Sequence, residues 1–485
     1  MARRRFIDHP ELDLNSPEPR IGKFDSVRLI SASGQCGSID LEEQIKGFHE
    51  LGKQTITEKI HYECANGSLK SVPCYLNEFW TAQQRQAHSL HEISYRACFK
   101  PQLPAFFIDR LTQPGDVVYD PFMGRGTTLL EAGLKGRIPL GCDINPLSQH
   151  LLLPRLFPPQ QAEVEKRLKE IKWDEATETS GELLAFYHPQ TLKAICSLRN
   201  YLLLRERSGD LDQIDQWIRM VAINRLTGHS SGFFSVYSMP PNQAVSVKSQ
   251  KRINERRSQT PPLRDVAAII LKKSKTLLRS LTVSESKVLS AVISKSRLLV
   301  APADQTPEIA NELVSLVVTS PPFLDVVDYA TDNWLRCWFM GFDVKSIKIT
   351  MAKKLEAWEA AMIQVFEELY RILKPGGHIA FEVGEVKKGS IKLEESVLKC
   401  GECTGLVPQL VMINAQQFTK TANCRGVDNN AEGTHSNRIV SCRPDGQNPT
   451  HNSSEPIRTL YSSADMSSSR LPGSERRILK NQPSL

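Results

Sequence analysis

Across 485 residues no apolar run approaches the roughly 20 residues needed to span a bilayer. The sequence therefore predicts no membrane span. Met1-Ala2-Arg3-Arg4-Arg5 is basic but leads into no apolar core, which excludes a secretory signal there. Charge of one sign is in short supply: 61 Lys and Arg face 54 Asp and Glu, a net +7 with pI near 8.7. So mild an excess permits a nucleic-acid partner without demanding one. The eleven cysteines form no framework. Cys400 and Cys403 make the only CxxC and lack a second pair, so neither a zinc site nor a disulfide scaffold is expected. Reduced thiols in a cytoplasmic protein are the plain reading. No internal repeat is visible, which argues against a solenoid.

What remains is ordinary globular composition, 40% hydrophobic and 24% charged, with length for one large domain with insertions or two to three smaller ones. The informative stretch is Asp120-Pro121-Phe122-Met123-Gly124-Arg125-Gly126-Thr127-Thr128. Val117-Val118-Tyr119 leads in, and Leu129 to Leu134 leads out at helical spacing. The pattern predicts strand, glycine turn and helix. Gly124 and Gly126 remove Cβ atoms that would hold a ligand off the backbone. Amides at the helix start can then face a polar or anionic group. A second strand ends in Cys142-Asp143, setting an acid where a ribose diol could be held.

A third apolar strand, Leu313 to Val318, runs into Thr319-Ser320-Pro321-Pro322-Phe323. Ligands of such sheets lie outside the carboxyl ends of the strands, so both loops should open onto one crevice. The turn lacks the third glycine of the dinucleotide fingerprint.

Together the two loops resemble the cofactor loop and catalytic loop of the amino-group DNA methyltransferases. Ser-Pro-Pro-Phe resembles the branch that methylates cytosine N4. The resemblance implies an α/β, class I S-adenosylmethionine-dependent methyltransferase (Rossmann-like) fold. It carries a large mostly helical insertion and a C-terminal antiparallel hairpin. It assigns S-adenosylmethionine to Asp120, Pro121, Phe122, Gly124, Gly126, Thr127, Thr128 and Asp143. Phe99 and Lys100 fall where the family meets the cofactor's methionine end. Asp304 falls where the family meets adenine, although a simple turn aspartate fits it equally. Ser320, Pro321, Pro322 and Phe323 become the catalytic loop. The Ser320 hydroxyl and Pro321 carbonyl can accept the two amino hydrogens of the base, the prolines stiffen the loop, and Phe323 offers a stacking face. No cysteine nucleophile is needed, and no Pro-Cys dipeptide stands in a matching context.

In chain order, residues 1–75 read as an N-terminal extension and 76–150 as the cofactor half. Residues 151–290 read as a helical, basic insertion. Within it, Lys248 to Arg279 holds ten Lys and Arg against Glu255 and Asp265, an excess of +8. A basic run is usually a solvated face. In this setting Arg252, Arg256, Arg257, Lys272 and Lys273 are the candidate phosphate contacts on double-stranded DNA. Residues 291–442 read as the catalytic half, closing with the hairpin Val407–Phe418 and Ser436–Val440 around a turn at Asn429–Gly433. Residues 443–485 read as a disordered tail.

The resemblance further implies a cytoplasmic, nucleoid-associated prokaryotic enzyme paired with a restriction endonuclease. Adenine N6 stays open as the target, because the cofactor loop comes first, an order commoner among adenine enzymes. An RNA guanine-N2 methyltransferase and an inactive DNA-binding relative are the remaining readings.

Overall fold

The computed structural model describes residues 40–64, 66–81, 87–95, 98–176, 180–239, 244–322, 329–343, 354–386, 391–415 and 436–445. Phe323, the turn at Asn429–Gly433, residues 1–39 and the tail from 446 lie outside them.

Helix α1 (Leu41–Lys46) precedes strands β1 (Ile56–Glu63) and β2 (Leu69–Asn77). Then come α2 (Gln102–Leu111), β3 (Val117–Asp120), α3 (Thr127–Leu134) and β4 (Ile138–Cys142). Seven helices follow: α4 (Leu147–Leu156), α5 (Gln161–Glu170), α6 (Pro189–Ser208), α7 (Gln213–Ile223), α8 (Val247–Arg257), α9 (Val266–Leu278) and α10 (Val283–Ile293). Alternation then resumes with β5 (Arg297–Leu299), β6 (Val314–Thr319), α11 (Tyr329–Met340), α12 (Leu355–Ile372) and β7 (Leu373–Val383). A small pair, β8 (Glu385–Val386) and β9 (Ile391–Lys392), leads to α13 (Leu393–Cys403), β10 (Leu406–Ala415) and β11 (Ser436–Pro444).

One nine-stranded sheet organises the molecule, in the order β1-β2-β10-β11-β7-β6-β3-β4-β5. From β5 to β7 every pairing is parallel, and β11 runs antiparallel to both its neighbours. Seven strands in this order, with one reversed strand second from an edge, make the class I methyltransferase sheet. The fold expected from the sequence is therefore the fold observed, helical insertion and closing hairpin included.

Strand alternation sorts the core. Val118, Leu316 and Val318 face α1 and α2, while Tyr119, Val317 and Phe381 face α12 and α13. β3 and β6 are buried along their whole length, as strands covered on both sides must be. Leu151 and Leu152 of α4 share a third core with Leu129 and Leu130 of α3, Trp217 of α7, and Ile270 and Leu277 of α9. The insertion is thus welded to the cofactor half.

Three details differ from the sequence reading. β1 and β2 belong to the sheet, because they pair with each other and β2 pairs in parallel with β10. β5 ends at Leu299, so Asp304 stands in a loop five residues beyond it rather than at the strand's end. Finally, the glycines and proline of Leu373-Lys374-Pro375-Gly376-Gly377 are a helix-stop signal in the sequence and do stop α12, but the same residues already form the start of β7.

Candidate active site

Asp120 ends β3 and is 1% exposed. One of its carboxylate oxygens accepts the Thr319 hydroxyl at 2.6 Å and the Phe122 amide at 3.1 Å. The Thr128 hydroxyl donates to the Val318 carbonyl at 3.0 Å. The glycine turn after β3 and the loop after β6 are therefore bonded to each other, as adjacent parallel strands allow. Burial pushes the Asp120 carboxyl up to about 7 against the pull of those hydrogen bonds, and the nearby Asp143 charge adds to the rise.

Asp143, beyond β4, accepts the Gly124 amide on one oxygen and the Asn145 amide on the other, both at 2.8 Å. Burial raises its pKa against those two amides. Gly124 and Gly126 both have positive φ, 49° and 76°. A Cβ at Gly126 would come within 2.6 Å of the Leu152 side chain.

Arg125 lies inside the same turn and clamps its surroundings. Its guanidinium donates to the Thr127 hydroxyl at 3.0 Å, the Ile93 carbonyl at 3.0 Å and the Phe99 carbonyl at 3.4 Å. Phe99 is half-buried beside the turn through that bond, and burial lowers the pKa of the neighbouring Lys100. Pro121 is buried and Phe122 half-buried. Asp304 is half-buried in a segment whose start is held to β4, the Ala301 amide donating to the Asp143 carbonyl at 3.3 Å.

Ser320, Pro321 and Pro322 continue directly from Thr319. The Ser320 hydroxyl bonds the carboxylate of Glu382, a residue the sequence reading left unassigned. Glu382 is 8% exposed on β7 and also accepts the Asn437 amide of β11 at 2.8 Å. Burial raises its pKa, with both hydrogen bonds opposing. Trp358 of α12 donates to the Pro322 carbonyl at 3.0 Å, fixing the far side of the loop. The one sequence cue for Glu382 was an acid inside the otherwise apolar His378-Ile379-Ala380-Phe381-Glu382-Val383 strand.

The basic segment divides. Arg252, Arg256 and Lys272 are exposed on α8 and α9. Arg257 is exposed and lies 3.9 Å over the Tyr237 ring. Lys273 departs from the solvated charge expected. Its side chain is only 12% exposed, its nitrogen sits 4.0 Å from Glu92, and burial lowers its pKa to about 8. Among the described residues no three His, Cys, Asp or Glu side chains gather as a metal site, and no helix is long and apolar enough to cross a membrane.

With this geometry in place, residues 51–151, which hold the glycine turn, match the family model described as DNA methylase. The chain is 22% identical over 344 residues to the type II methyltransferase M.BsoBI of Geobacillus stearothermophilus, covering 65% of each chain. It is 30% identical over 148 residues to the type II methyltransferase M.MvaI of Kocuria varians, covering 30% of this chain and 29% of that one. The chain thus spans just under two thirds of the first relative's length and far less of the second's. Among solved structures it superposes loosely on geranyl diphosphate C-methyltransferase from Streptomyces coelicolor A3(2). That match has a TM-score of 0.29 at 10% identity, over 71% of this chain and 78% of that one. The strand order of the sheet itself carries the fold.

Proposed function

We propose that this chain is a site-specific DNA methyltransferase that uses S-adenosylmethionine and modifies the N4 amino group of cytosine, as the modification enzyme of a restriction system. The observation that carries this reading is the bond between Thr319 and Asp120, which joins the two loops at neighbouring strand ends.

The residues present fit the cofactor. A buried and a half-buried carboxyl, both with raised pKa values, face one turn and would gain from a cationic ligand. Asp143 is fixed by two amides and keeps lone pairs for a diol. When bound, S-adenosylmethionine supplies an electrophilic methyl on a sulfonium centre. Asp120, Gly124, Gly126 and Asp143 would hold it, with Phe99, Lys100 and Asp304 at its ends.

The cytosine amine is a poor nucleophile because its lone pair is delocalised into the ring. Ser320 donates its own proton to Glu382, so its oxygen lone pairs are free to accept an amino hydrogen. The Pro321 carbonyl takes the other. Held this way, the nitrogen moves toward tetrahedral geometry with its lone pair directed at the methyl, a gain of positioning. Ser320 and Glu382 then provide a route for the proton lost from nitrogen. Phe323 would stack on the extruded base, and the exposed Arg252, Arg256, Arg257 and Lys272 would meet phosphates.

Loop order favours adenine N6 as the second reading, whereas Ser320 in place of an acid or amide favours cytosine. The deciding measurement is nucleoside mass spectrometry on plasmid DNA from cells expressing the chain or Ser320→Ala. N4-methylcytosine with the intact protein alone is expected. N6-methyladenine would reassign the base, and neither mark would sink the reading.

A further inference from the structure

Arg225 follows α7 in the helical insertion. Its guanidinium lies 4.1 Å over the Phe233 ring, and its Nε donates to the Asn224 carbonyl at 2.8 Å. These contacts orient the guanidinium while its two terminal nitrogens meet no acceptor among the described residues. Lys273 lies beside it, and its one nearby acid is shared. Glu92, 4.0 Å away, is also engaged by both terminal nitrogens of Arg279. Arg336 of α11 adds a further buried charge, with its donors spent on the Ile223 and Ser94 carbonyls and the Asn333 side chain. Four cations thus face two acids, Glu92 and Asp332. Burial and the neighbouring positive charge lower Lys273 to about 8 and Arg225 to about 10.

Burying a cation beside another costs free energy that an anion would return. A planar guanidinium with two free donors matches the oxygens of a phosphate. The position is also linked to the glycine turn. The Ser94 amide donates to Asn224 at 3.0 Å, and the next residue, Tyr95, packs on Gly124 and receives the Asn145 amide on its hydroxyl at 3.2 Å. A cleft lined by Ser94, Asn224, Thr227, Asp332 and Arg336 opens alongside.

We propose that Arg225 and Lys273 form an anion subsite that takes one backbone phosphate of the DNA strand carrying the target nucleotide. The proposal rests on the DNA methyltransferase reading above. A cofactor carboxylate shares the chemistry. The phosphate is favoured because the pair is carried by α9 and the α7 terminus, amid the basic segment, rather than by the turn.

The test uses the full chain with Arg225→Gln, Lys273→Met and the double variant. Binding to a mixed-sequence DNA duplex is followed by anisotropy across salt concentrations, S-adenosylmethionine binding by calorimetry, and stability by thermal melting. Each single variant should weaken duplex binding roughly tenfold and lower the salt slope by about one. S-adenosylmethionine affinity should be unchanged. Lys273→Met should melt no lower than the parent, because it removes a mostly covered charge whose one nearby acid, Glu92, stays paired with Arg279; a purely structural cation would lower the melting point. Arg225→Lys keeps the charge without the fork and should fall between parent and Arg225→Gln. Unchanged duplex affinity and slope in the double variant, with DNA methylation intact in the parent, overturns the subsite and leaves the enzyme reading standing. Loss of S-adenosylmethionine affinity with DNA binding intact assigns the pair to the cofactor and also overturns it. A parent chain that binds no duplex at low salt overturns both.

Discussion

Asp120 is the residue on which both loops depend, and its titration is measurable. Its folded pKa of about 7 lies above the ordinary aspartate value of 3.8. The unfolded chain therefore gives up this proton first as pH rises. Stability falls from about pH 4 to about pH 7 and levels off above, the reverse of a salt-bridged aspartate. Asn is isosteric and keeps the oxygen that accepts Thr319 and Phe122. Asp120→Asn should accordingly raise apo-protein stability at pH 8, by up to about 4 kcal/mol, and change it little at pH 4. S-adenosylmethionine affinity should fall in the same variant. Denaturant melts at the two pH values check the first expectation, and equal gains at both would refute the assignment of the raised pKa to Asp120. Glu382→Gln tests the second buried acid. It should leave S-adenosylmethionine binding intact and lower methyl transfer at least tenfold, read by tritium incorporation into DNA, because an amide cannot take up the proton passed on by Ser320.

At the scale of elements, the glycine turn packs closely on α4. Gly126→Ala would bring a Cβ to 2.6 Å from Leu152 at φ 76°, so a loss of roughly 1–3 kcal/mol is expected by thermal melting. Pairing it with Leu152→Ala should recover the clash but not the backbone strain. This turn was legible in the sequence because an acid, two glycines and a helical repeat follow a short apolar strand within a few residues. Thr319 and Ser320 were legible in the same local way. Glu382 was not, since burial of that acid depends on Asn437 of β11, 55 residues further along. β1 and β2 escaped for a similar reason. Pro73 interrupts β2, the outward face of β1 is exposed, and the pairing that makes both part of the sheet lies in β10. Lys273 read as a surface charge because a run of like charges carries no sign of which member turns inward.

For the whole molecule, the net charge of +7 conceals the excess between Lys248 and Arg279. Reversing Arg256 and Arg257 to Glu should weaken duplex binding and make its salt dependence shallower, with only a small loss of thermal stability from the Arg257–Tyr237 contact, since both side chains are exposed. Equal affinity at low salt would remove α8 from the DNA interface. The class I sheet was legible from the order of its apolar strands. The union of insertion and sheet in a common core was not, because periodicity shows that a helix has an apolar face without saying what covers it.

The parallel pairing of β2 with β10 also sets a timetable. Residues Leu69–Asn77 meet Leu406–Ala415, and Asn414 holds the amides of Phe79 and Trp80 at 2.7 and 3.2 Å. On the ribosome the first hairpin emerges early and must wait, its pairing edge open, until more than 300 further residues have been made. A chain cut short before β10 therefore leaves that edge of β2 unpaired.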